Sequence, residues 1–135
     1  MDRRIDYSFF HWGPFLYRTI MLKEEINEIK NLCSKENKDY RNNLAGIIKH
    51  EHEIDHKKMF PIIAPYLHSY VQAFIEYNPR PLGNKLELTA AWVNYMTKFE
   101  SNPMHTHDDD LSFVLFTQVP EDLKKEYDEN IGNAK

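Results

Sequence analysis

The run Asn102-Pro103-Met104-His105-Thr106-His107-Asp108-Asp109-Asp110-Leu111-Ser112 gathers the residues of this chain best suited to metal chemistry. In an extended backbone alternate side chains share a face, so His105, His107 and Asp109 point one way while Thr106, Asp108 and Asp110 point the other. Two neutral imidazoles and a carboxylate suit zinc, iron, nickel or manganese at roughly 2.0–2.2 Å. With coordination positions left open, the same donors form the facial triad of non-haem Fe(II) chemistry. A solvated acidic turn between two strands, without metal, fits these residues as well.

A second cluster, His50-Glu51-His52-Glu53-Ile54-Asp55-His56, contains the His-Glu-x-x-His spacing from His52 to His56. On a helix that spacing sets two imidazoles one turn apart, beside a glutamate that activates water. Gly46 before it and Pro61 after it speak against the uninterrupted helix such a motif requires. The stretch is instead expected to be a solvated link, with Asp55 as the N-cap of the helix that follows. His11 and His68 stand alone, and His68 is expected as a hydrogen-bonded residue at the edge of an apolar stripe. Cys33 is the single cysteine, so no internal disulfide is possible; a buried or half-buried thiol in a reducing compartment is expected.

The elements that must position these groups divide where the hydrophobic period changes. Phe9, Phe10, Trp12, Phe15, Leu16 and Tyr17 surround Gly13-Pro14, a turn signal that predicts an extended arm or short strand packed through its aromatic rings. Leu22, Ile26, Ile29 and Cys33 recur at helical spacing, with Glu24 and Glu25 in the first turn, and predict a first helix. Residues 34–43 read as a loop, and 43–49 as a short helix or strand weakened by Gly46. From Asp55 to Tyr77 the apolar positions again follow a helical period. Pro61 and Pro65 predict that this principal helix starts near one of them or breaks between them, and Asn78-Pro79-Arg80-Pro81-Leu82-Gly83-Asn84 predicts its end. Residues 86–99 alternate as a long or bulged strand, and Leu111–Val119 reads as a second strand buried on both faces. Pro120-Glu121-Asp122-Leu123 opens an acidic helical or looped tail.

Length and composition agree with one domain or part of one: 135 residues, 41% hydrophobic, are enough to build a core. The expected layout is 1–84 mainly helical, 85–119 stranded with the metal motif, and 120–135 a tail. A net charge of −4 with no basic block disfavours nucleic acid as a partner. No stretch approaches the roughly 20 apolar residues of a membrane helix, and the amino terminus lacks a secretion signal. A cytoplasmic protein that does not engage membranes is expected.

The stretch Trp92-Val93-Asn94-Tyr95, then Asn102 to His107, Leu111-Ser112-Phe113-Val114 and Val119-Pro120 resembles the 2-oxoglutarate/Fe(II)-dependent oxygenases of marine cyanophages and their hosts. Phe10-His11-Trp12-Gly13-Pro14-Phe15 and the helix from Leu22 to Cys33 look like the amino-terminal part of the same group. The resemblance implies an α+β fold, with amino-terminal helices packed on the first strands of a double-stranded β-helix, or jelly roll. It implies Fe(II) as cofactor and 2-oxoglutarate as co-substrate, whose oxidative decarboxylation to succinate and CO2 drives hydroxylation of a small molecule or a protein side chain. By carry-over the metal pair falls within His105 to Asp109, as His107 with Asp109 or as His105 with His107. Asn94, Tyr95 and Ser112, polar groups on the flanking strands, are candidates to contact the co-substrate and equally suit ordinary sheet positions.

The family's second half carries a distal histidine, an arginine for the far carboxylate of 2-oxoglutarate, and the strands that close the jelly roll. Residues 108–135 hold no histidine and no arginine. The chain is therefore expected to be an incomplete oxygenase domain whose unpaired strand edges favour association. The other reading is a non-catalytic phage structural or binding module that keeps part of the fold. A cupin-like metal site, which also opens on His-x-His, lacks its expected glutamate between Asp108 and Gln118.

Overall fold

A computed structural model describes residues 5–10, 13–78, 85–123, 125 and 128–129. Its order is strand β1 (Tyr7–Phe10), strand β2 (Leu16–Thr19), helix α1 (Lys23–Leu32), a 3-10 turn (Arg41–Asn43), strand β3 (Glu51–Glu53), helix α2 (His56–Tyr77) and strand β4 (Trp92–Asn94). This is an α+β arrangement. Among the described residues the strands form two antiparallel pairs, β1 with β2 and β3 with β4, and no jelly roll is formed. The chain falls into two compact units, 1–105 and 106–135.

In the first unit, β1 and β2 form a hairpin in the register Tyr7 to Thr19 and Phe10 to Leu16. Its rings are the glue. Phe15 meets Phe74 edge-on at 5.3 Å and Tyr70 at 5.6 Å between centroids, so the hairpin lies on α2. The expected aromatic arm is thus a hairpin that packs; His11 and Trp12 lie outside the described residues.

Helix α1 begins where expected. Glu25 accepts the Leu22 N–H at 3.2 Å, half of a capping box, and Ile29 is buried on its apolar stripe. Tyr66 of α2 reaches back to the same end of α1, donating to the Glu25 carboxylate while accepting the Leu22 N–H at 3.3 Å. Cys33 is half-buried at the end of α1, with its thiol 3.3 Å from Ile29 O, and burial pushes that thiol up.

Asp55 caps α2 as expected, accepting from the Lys57 and Lys58 N–H groups at 3.0 and 3.2 Å. The break anticipated at Pro61 and Pro65 does not occur, and both prolines lie inside a continuous helix. Met59, Ile63, Tyr66 and Ala73 are buried along one side, and the packing gained there offsets the backbone donors that proline lacks. Of the turn cluster expected to end α2, Asn78 caps it through its N–H to Phe74 O at 2.7 Å; residues 79–84 lie outside the described set. His68 is exposed.

The second half departs from expectation. The long strand over 86–99 is only Trp92–Asn94, because a strand exists only where it has a partner and β3 offers just three residues. Leu111–Val119 forms no strand, and most of its side chains face solvent, with Val114 79% and Phe116 76% exposed and Leu115 and Thr117 half-buried. Helical backbone returns at 121–123.

The stretch expected as a solvated link is β3. Glu53 N donates to Lys38 O at 2.8 Å and Tyr40 N to Glu51 O at 2.9 Å, while β4 pairs along the other edge. Flanked on both sides, β3 is interior.

Candidate functional site

His105, His107 and Asp109 all lie in non-helical, non-strand backbone with exposed side chains. His105 Nδ1 is 2.7 Å from Pro103 O. A carbonyl only accepts, so Nδ1 carries the proton and the lone pair resides on Nε2. Metal-binding histidines are commonly oriented in this way through their second nitrogen. The boundary between the two units falls between His105 and Thr106. Among the described residues, no three His, Cys, Asp or Glu side chains form a group that could hold a metal ion. The donor types fit Fe(II).

The His52-to-His56 spacing spans two elements. His52 is the middle of β3 and His56 the first residue of α2, so they cannot share the helical face a metalloprotease motif requires.

Of the co-substrate candidates, Asn94 and Tyr95 are neighbours at the end of β4. Tyr95 N donates to His50 O at 2.9 Å, and its ring meets His52 edge-on at 6.2 Å, with the Lys35 ammonium 5.3 Å from the ring centre. Burial pushes the Tyr95 hydroxyl up. Ser112 lies in the second unit and is exposed.

Alternation splits β3 into two faces. His50 and His52 stack on one, with ring centres 6.1 Å apart. His52 Nδ1 is 2.9 Å from Asn37 O and therefore donates to it, leaving the lone pair on a buried Nε2 with no hydrogen-bond partner among the described residues. Glu51 faces the other way, directly opposite Asn94. It is 1% exposed, and neither of its carboxylate oxygens, nor Asn94 Oδ1, has a hydrogen-bond partner among the described residues. Burial pushes the Glu51 carboxyl up; Arg41 pulls it down, while Asp39 and Glu100 add to the rise.

Sequence reasoning named Asn94 only as a candidate co-substrate contact and missed the buried Glu51 opposite it. Its signal was the alternation His50-Glu51-His52-Glu53, which puts Glu51 and Glu53 on the face away from the histidines, but nothing local shows that both edges of the strand are covered. Comparison with known protein families, curated proteins and solved structures finds no match.

Proposed function

We propose that this chain carries the metal-binding part of a 2-oxoglutarate/Fe(II)-dependent oxygenase, its helices and short strands belonging to an incomplete double-stranded β-helix. His105 and His107 are the ligand pair in this reading. The observation that supports it is the hydrogen bond from His105 Nδ1 to Pro103 O at 2.7 Å, the kind of contact through which metal-binding histidines are commonly oriented. Iron would supply the oxidative chemistry, and the chain the donors and their orientation. The distal histidine and the arginine for 2-oxoglutarate must come from outside residues 108–135, which contain neither. A cytoplasmic setting, with Cys33 reduced, suits a ferrous centre.

The test is anaerobic titration of the chain with Fe(II) and 2-oxoglutarate, recording the weak visible charge-transfer band of the chelated complex. The reading expects a band that disappears in His107→Ala. Absence of any band, or a band unchanged by that substitution, overturns it for this chain.

A second reading, a non-catalytic binding module, draws on the exposed Phe113, Val114 and Phe116 of the second unit. Neighbouring apolar side chains in solvent are commonly a surface that another molecule covers.

A further inference from the structure

We propose that the polar face of the β3–β4 pair is a binding site for a hard divalent cation, calcium being the best match, held by the Glu51 carboxylate and the side-chain carbonyls of Asn94 and Asn102. The site is distinct from the 105–109 run and does not rest on the oxygenase reading.

The chemistry of the cluster is one-sided. Glu51 Oε1, Glu51 Oε2 and Asn94 Oδ1 are acceptors, all buried, and none has a hydrogen-bond partner among the described residues. Buried acceptors are normally satisfied, and an isolated buried carboxylate is among the most costly groups to leave unpaired. A cation satisfies several such acceptors at once without a donor from the protein. An all-oxygen donor set selects calcium or magnesium over the softer metals, and calcium tolerates the less regular geometry of mixed carboxylate, carbonyl and water ligands at about 2.3–2.6 Å.

Asn102 Oδ1 and Glu51 Oε1 meet at Gly46, and Asn94 stands opposite Glu51. A Cβ placed on Gly46 would run into Asn102 Oδ1 and lie 2.9 Å from Glu51 Oε1. The missing side chain of Gly46 therefore keeps open a space lined by oxygen from two different segments. Beside it is an open cleft of about 280 Å³ lined by Arg41, Gly46, Ile47, Ile48, Lys49 and Glu100.

Of the neighbouring charges, that of Arg41 favours the Glu51 carboxylate and those of Asp39 and Glu100 oppose it. Arg41 is committed to Asp39, its Nε lying 3.0 and 2.9 Å from the two carboxylate oxygens, and no hydrogen bond joins it to Glu51. The Glu100 carboxylate is occupied by Thr97 N at 2.7 Å and Lys49 N at 3.0 Å, and its negative charge, like that of Asp39, acts on Glu51.

The full chain, stripped with a chelator, is titrated with calcium chloride alone by calorimetry and by thermal unfolding. The expected result is saturable one-site binding with a rise in Tm of several degrees. Glu51→Gln keeps the shape and brings an amide donor to Asn94 Oδ1. It should fold with a metal-free Tm no lower than wild type while losing about tenfold or more in calcium affinity, as the ligand charge falls. Asn102→Ala, at an exposed position, serves should Glu51→Gln fail to fold, with severalfold weaker binding and an unchanged metal-free Tm. His107→Ala should bind calcium as wild type does. Wild-type affinity in both Glu51→Gln and Asn102→Ala, binding lost in His107→Ala, or no saturable binding into the millimolar range overturns the proposal.

Discussion

Tyr17 donates a 2.8 Å hydrogen bond to Ser69 Oγ, joining the second strand of the hairpin to a buried hydroxyl in the middle of α2. The aromatic contacts around it are broad and weakly directional, whereas this bond fixes one register of hairpin on helix. Tyr17→Phe keeps the ring against Tyr70 and removes only the donor. The expected loss is about 1 kcal/mol, the usual cost when one partner of such a pair is removed, read as a lower urea midpoint with an unchanged slope.

Phe15 is the anchor of the same interface, touching Phe9, Tyr70, Phe74 and Tyr77. It is half-buried, so Phe15→Ala should cost about 2 kcal/mol, below the 3–5 kcal/mol typical of a fully buried phenylalanine. Equilibrium urea unfolding measures it.

Asp55 ties helix capping to pH. The Lys58 and Lys57 N–H groups, with the charge of Lys58, hold its carboxyl below the ordinary carboxylate range. A carboxyl lowered in the folded state binds fewer protons there than in the unfolded chain, so its contribution is complete above the unfolded pKa and is lost as pH falls through the folded one. Asp55→Ala should therefore lower Tm by a few degrees at neutral pH, with the gap from wild type closing in acid. Thermal melts of both proteins across that range test it.

The choice of ligand pair in the 105–109 run can be read directly. With His105 and His107 as ligands, His105→Ala should weaken Fe(II) binding about tenfold or more, while Asp109→Asn leaves it within a factor of about two. Anaerobic competition with a chromophoric chelator supplies both constants. The opposite ranking would identify His107 with Asp109.

The helices were legible because their information is local. Spacing from Leu22 to Cys33 and from Asp55 to Tyr77 matches α1 and α2 within a residue or two, and Asp55 is the N-cap. The prolines misled in one respect, since Pro61 and Pro65 carry a backbone penalty that burial of Met59, Ile63 and Tyr66 outweighs. Strands depend on partners distant in the chain. The alternation over 86–99 describes a potential strand, yet only the three residues opposite Glu51–Glu53 pair. The apolar run 111–119 predicts a strand buried on both faces, and most of it lies exposed. For the candidate sites, the sequence shows the residue types at 105–109 and nothing of their arrangement. Glu51 was hidden because an acid between two histidines looks solvated until both neighbouring segments are in place.

The two prolines of α2 leave a mark on how the molecule opens. Residues 61 and 65 contribute no amide hydrogen, so the rungs that would tie them to Lys57 O and Pro61 O are absent. The opening turns of α2 are thus held less by their own ladder than by the Asp55 cap and by side chains such as Tyr66, which grips α1. Deuterium should enter this end of the helix in one concerted step with loss of the α1 contact, while the turns beyond Tyr66 exchange on their own slower clock.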